Sequence, residues 1–147
     1  MDHSLVYLVQ TDTTAGFLSS DDIKLSRTKQ RDPKQKILQV VDSFDTLKSK
    51  TRVPNRFKNK IRRSKCSTFI YPNSLSFRVV DKNSHHSRFI KKFKSLYSTS
   101  ANKTKVNFDI DYAYTNSDIV LYNSLEFKET KSSSIYKVNN SCIKKIR

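Results

Sequence analysis

Residues 94–105 read KSLYSTSANKTK. Leu96 and Tyr97 lead into Ser98, Thr99, Ser100, Ala101 and Asn102, and the run closes in lysine. The apolar pair predicts a strand that ends in small polar side chains. No Gly or Pro marks the turn that must follow, although those residues usually supply it. At i, i+2 steps along an extended chain, Ser98, Ser100 and Asn102 share one face. Each donates and accepts hydrogen bonds, so the three suit phosphate oxygens, a carboxylate or the water shell of a metal. A serine nucleophile fits poorly, since no G-x-S-x-G elbow surrounds any of them.

Two further clusters carry related chemistry. QTDTTAGF (10–17) follows the apolar run LVYLVQ (5–10), which reads as a buried strand. Thr11 and Thr13 share one face there, and Asp12 faces the other. In KQRDPKQK (29–36), Lys29 and Arg31 stand at i, i+2 and predict two cations on one side. Arginine offers a planar fork of donors to an anion, lysine a point charge. Neither a Walker A loop nor a G-x-G-x-x-G turn is present, so the common nucleotide-binding motifs do not apply.

Outward from these clusters, strands and helices alternate. A short helix is predicted over 19–29, a strand over 36–41 and a capped helix over 42–50. Pro54, Phe57 and Ile61 predict a helix over 53–63 with a narrow apolar stripe. STFIY (67–71) and SLSFRVV (74–80) flank Pro72-Asn73 as two strands around a turn. The pattern of 84–96 predicts a helix with Phe89, Ile90 and Phe93 on one face. Closing strands are expected over 118–122, 134–138 and 142–146. With no repeat and no linker, the reading is one α/β domain over 1–147, a mixed sheet with packed helices.

Composition limits the function classes. The chain has 147 residues, 35% of them hydrophobic, and a net charge of +16 from 29 basic and 13 acidic residues. Such an excess favours polyanionic partners: nucleotides, RNA or an acidic membrane surface. No apolar run is long enough to span a bilayer, and the N-terminus lacks a basic signal-peptide region, so a cytoplasmic protein is expected. Cys66, Cys142, His3, His85 and His86 have no metal-ligand spacing, and two cysteines make no disulfide framework. No metal ligands are assigned.

Taken together, in order, the clusters resemble the YrdC-like threonylcarbamoyl-AMP synthase family, also called TsaC. Its TDT loop, K-x-R pair, S-x-x-x-R-V strand, STSAN element, late PST-I strand and terminal I-x-R correspond to QTDTTAGFL (10–18), KQR (29–31), SLSFRVVD (74–81), STSAN (98–102), SSSIY (132–136) and IKKIR (143–147). SKCSTFIYP (64–72) stands at the PGPxT strand entry. The family's glycines are mostly replaced: only Gly16 is kept, and Lys65 stands where PGP has Gly.

The resemblance implies a twisted mixed parallel and antiparallel sheet with flanking helices around a basic cavity. It implies L-threonylcarbamoyladenylate synthesis, a nucleotidyltransferase reaction of L-threonine, bicarbonate and ATP that serves threonylcarbamoyladenosine modification of tRNA. Magnesium would accompany the ATP, and a tRNA threonylcarbamoyl transferase complex would take the product. Lys29, Arg31, Ser100 and Asn102 would anchor the phosphates as the catalytic set. Arg78 would face the threonine carboxylate with Thr11, while Thr13, Thr68, Ser98 and Ser134 would complete substrate binding. A monomer is expected. The alternative is a catalytically reduced relative that binds double-stranded RNA or tRNA through its basic surface, above all the six basic residues between Arg56 and Lys65.

Overall fold

The computed structural model describes residues 2–122 and 126–147. The chain opens on β1 (Tyr7–Gln10) and returns at once as β2 (Ala15–Ser19). Helix α1 (Asp22–Thr28) follows, capped by Asp21, whose side chain accepts from the Lys24 amide. Then come β3 (Leu38–Val41), α2 (Phe44–Lys50) with its Ser43 cap, a single 3-10 turn and α3 (Lys58–Arg63). β4 (Ser67–Ile70) and β5 (Ser76–Val79) lead to α4 (His85–Ile90) and β6 (Ser95–Ser100). The chain closes with α5 (Ile110–Thr115), β7 (Ile119–Leu121), β8 (Ser134–Val138) and β9 (Ile143–Lys145).

The strands form one sheet in the order β7-β1-β2-β6-β3-β5-β4-β8-β9. The pairs β1–β7, β3–β5 and β4–β8 are parallel and the others antiparallel, so the sheet is mixed as expected. Alternation along β1 builds two cores. Tyr7 and Val9 pack with Phe89, Ile90 and Phe93, while Val6 and Leu8 pack with Phe17, Leu25 and Ala113 on the other face. A third cluster joins Phe44, Leu47 and Ile61 to Phe69 and Phe77.

Three segments differ from the sequence expectation. The helix predicted over 84–96 stops at Ile90, and Lys94 takes φ 63° before β6 starts. Phe93 still packs beside Tyr7, with ring centroids 5.5 Å apart, so its apolar signal was a core signal rather than a helical one. Residues 15–19 form a fully buried strand, whose uniformly apolar or small side chains lack the alternation that marks a half-exposed one. α5 was not anticipated: its apolar face is short, and only Ala113 is buried.

Candidate functional site

β6 delivers the polar run to the sheet's interior. Gly16 pairs with Ser100, and Leu18 and Leu38 flank Ser98 from either side. Ser98 and Ser100 line a cavity of about 410 Å³, together with Thr11, Thr13 and Thr14 of the β1–β2 turn and Arg78 of β5. Gly16 lies under this wall. A Cβ there would stand 3.0 Å from the Thr11 methyl and 3.1 Å from the Thr99 carbonyl oxygen, so the only glycine in the chain sits where a side chain has no room.

The turn that the sequence left without Gly or Pro is held from outside. Lys29, at the C-terminal cap of α1, sends its ammonium to Ser100 Oγ at 2.7 Å and Asn102 Oδ1 at 2.8 Å. It also donates to the main-chain oxygens of Ser100 and Asn102, at 3.0 and 3.1 Å. One buried cation thus satisfies two side chains and two carbonyls of the bend, and charge strengthens each bond. Burial, and then the neighbouring Arg31 charge, pulls the Lys29 ammonium down to about 8. It remains largely protonated at pH 7.

The β1–β2 turn is tied by Thr11, whose Oγ1 donates to the Thr14 carbonyl at 2.7 Å and accepts from the amides of Thr13 and Thr14. Thr11 and Thr13 face the cavity and Asp12 faces away, as their alternation predicted. Arg78 joins the turn to the far wall. It donates to Thr13 Oγ1 at 3.2 Å, Thr68 Oγ1 at 3.1 Å and Ser133 Oγ at 2.8 Å. Burial works against the guanidinium charge, and the Asp12 carboxylate works for it. Behind the turn, His86 Nδ1 lies 3.9 Å from Asp12 Oδ1, and both side chains are almost wholly buried. Burial pushes His86 down to about 4, Asp12 opposing and Arg78 adding to the fall, so the imidazole is neutral.

Some predicted residues land elsewhere. Lys29 and Asn102 are brought to Ser100 but lie outside the cavity lining, where they act on the bend. Arg31 does not join them. Gln30 takes φ 53°, which breaks the extended i, i+2 geometry, and the Arg31 guanidinium donates to Gln35 instead. Thr68 sits behind the wall on Arg78. Ser134 lies outside the lining: it starts β8 in register with Ser67, and its amide donates to the Cys66 carbonyl. Ser133 is the serine on Arg78, an assignment that the run of three serines left open by one position.

Reasoning from sequence gave no role to Arg147, although the terminal motif includes it, or to the segment 129–133. Arg147 lines the cavity and donates to the Ser133 carbonyl at 3.3 Å. Glu129, bridged to Thr14, is the one carboxylate in the lining. Among the described residues no group of three or more His, Cys, Asp or Glu side chains could hold a metal. A larger groove of about 730 Å³ lies where Arg62 and Arg63 of α3 meet Phe44 of α2 and Lys82. Part of its charge is already neutralised, with Lys65 2.9 Å from Asp81, and it lacks the hydroxyl fork that Arg78 makes in the smaller cavity. The smaller cavity is therefore the candidate site.

No protein-family profile matches the chain, and no curated protein matches it in sequence. Solved structures are similar. YciO of E. coli has a TM-score of 0.76 at 12% identity, over 98% of this chain and 82% of YciO. Sua5 of P. abyssi complexed with L-threonine has 0.74 at 12% identity, over 97% of this chain. HypF in its phosphate- and nucleotide-bound form has 0.73 at 14% identity, over 97% of this chain. The chain spans 50% of that Sua5 and 26% of HypF. It has the fold of the YrdC and Sua5 proteins, the fold that its motifs implied.

Proposed function

We propose that the chain is an L-threonylcarbamoyladenylate synthase, joining L-threonine, bicarbonate and ATP with release of pyrophosphate. The observation that carries this reading is the half-buried Arg78 fork among Thr13, Thr68 and Ser133, opening on a cavity that Ser100 also lines. The threonine amine, once carboxylated, is a carbamate that must attack the α-phosphate of ATP. Both reactants are anions, so catalysis requires cation and hydroxyl donors that hold them in line. Arg78, with Thr11 beside it, takes the threonine carboxylate. Ser98, Ser100 and Arg147 face the phosphates, Lys29 and Asn102 hold Ser100 in place, and magnesium enters on the triphosphate as part of the substrate. The carbamate needs no general base, which suits a lining without histidine. That Sua5 was solved with L-threonine and HypF with nucleotide supports the choice of ligands.

The test is direct. Purified protein is incubated with ATP, magnesium, bicarbonate and each amino acid in turn, and pyrophosphate is measured. Release with threonine alone is expected. No release with any amino acid, together with no ATP binding, overturns the reading.

A second reading is a relative without catalysis that binds double-stranded RNA or tRNA. It rests on the groove beside α3, where Arg62 and Arg63 are exposed. Duplex affinity that falls steeply with salt, and less steeply after charge reversal at Arg62 and Arg63, supports it.

A further inference from the structure

The sheet edge at β7 carries a second hollow, separate from the cavity. Just past β7, Tyr122 is 75% exposed, its ring 6.0 Å from Phe127 and 6.5 Å from Tyr114. A pocket of about 230 Å³ lies against it, walled on its apolar side by Phe89 and Leu121. Around this wall stand His85, Arg88 and Lys92, all exposed, and no carboxylate belongs to the lining. His86 completes the wall; it is 4% exposed, and its Nε2 has no hydrogen-bond partner among the described residues.

We propose that this hollow receives one base of a single-stranded RNA, stacked on Tyr122, with the neighbouring phosphates on Arg88 and Lys92. An aromatic ring flanked by cations is what an unpaired nucleotide requires, since each base has a π-face and each linkage a negative charge. A duplex cannot use the ring, because its bases are already stacked on one another. The net charge of +16 supplies the general attraction, and the ring supplies the choice of single over double strand. The site is independent of the cavity and of the groove beside α3.

The experiment is fluorescence anisotropy with a labelled single-stranded oligoadenylate RNA of about 12 nucleotides, and with its duplex, on the full chain. Tyr122→Ala should weaken the single strand by roughly 5- to 150-fold, and Tyr122→Phe should keep wild-type affinity. Replacing both Arg88 and Lys92 by Ala should lower the log–log salt slope by about 1.4. Duplex binding should ignore Tyr122. The proposal is overturned if the wild-type chain does not bind the single strand. It also fails if Tyr122→Ala is silent, weakens single strand and duplex alike, or is matched by Tyr122→Phe. A surface for another protein, rather than for RNA, would appear as such a silent substitution.

Discussion

Lys29 and Ser100 stand 71 positions apart in the chain, yet the lysine ammonium donates to both the hydroxyl and the carbonyl of the serine. The contact ties the end of α1 to the end of β6.

Lys29→Met should therefore cost stability as well as function. It leaves two hydroxyl or amide oxygens and two carbonyls without their shared donor. A loss of roughly 1.5–3 kcal/mol is expected, the range for charged hydrogen bonds. Urea unfolding measures it. An unchanged midpoint would show that the ammonium does not hold the bend.

Arg78→Lys keeps the charge and loses the fork. A single ammonium cannot reach Thr13, Thr68 and Ser133 in the geometry that a planar guanidinium spans. Threonine-dependent pyrophosphate release should fall by roughly 10- to 100-fold. Full turnover in this variant would remove Arg78 from the carboxylate pocket.

Gly16→Ala tests the close approach under the cavity wall. The new methyl meets the Thr11 side chain and the Thr99 carbonyl, and the carbonyl belongs to a paired strand that cannot easily retreat. A destabilisation of about 1–3 kcal/mol is expected, the usual cost of overpacking. Thermal unfolding reads it, and a neutral result would mean that β2 and β6 can part without loss.

His86 makes stability depend on acid. Its folded pKa is about 4 against an ordinary 6.5, so the unfolded chain binds the proton more readily. The contribution is fully present above pH 6.5 and is lost as pH falls from 6.5 towards 4. The difference corresponds to on the order of 3 kcal/mol. His86→Gln should show a shallower fall in melting temperature across that window. Equal slopes in the two proteins would mean that the imidazole does not titrate as its burial dictates.

Much of the architecture was legible because it is local. The i, i+2 alternation of Thr11, Asp12 and Thr13 put the threonines in the cavity and the aspartate behind it. The polar caps at Asp21 and Ser43 marked helix starts, and the apolar runs of β1 and β3 marked buried strands. Where local signal was ambiguous, the reading slipped. Phe93 matched a helical stripe although it packs from a turn, and Ala15–Ser19 showed no alternation because both of its faces are covered.

The site itself was only partly local. Sequence alone identified STSAN as a strand end, the Arg78 strand and the basic excess, since each depends on residue type and spacing within a few positions. Tertiary structure decided the rest. Arg31 points away from Lys29 because Gln30 adopts a left-handed conformation. Ser133 rather than Ser134 meets Arg78 because the parallel register of β8 on β4 sets which serine faces it. Arg147 reached the cavity because β9 folds back antiparallel on β8. Strand order and register are set by the packing of the whole sheet, and no local pattern encodes which distant side chains that packing will bring together.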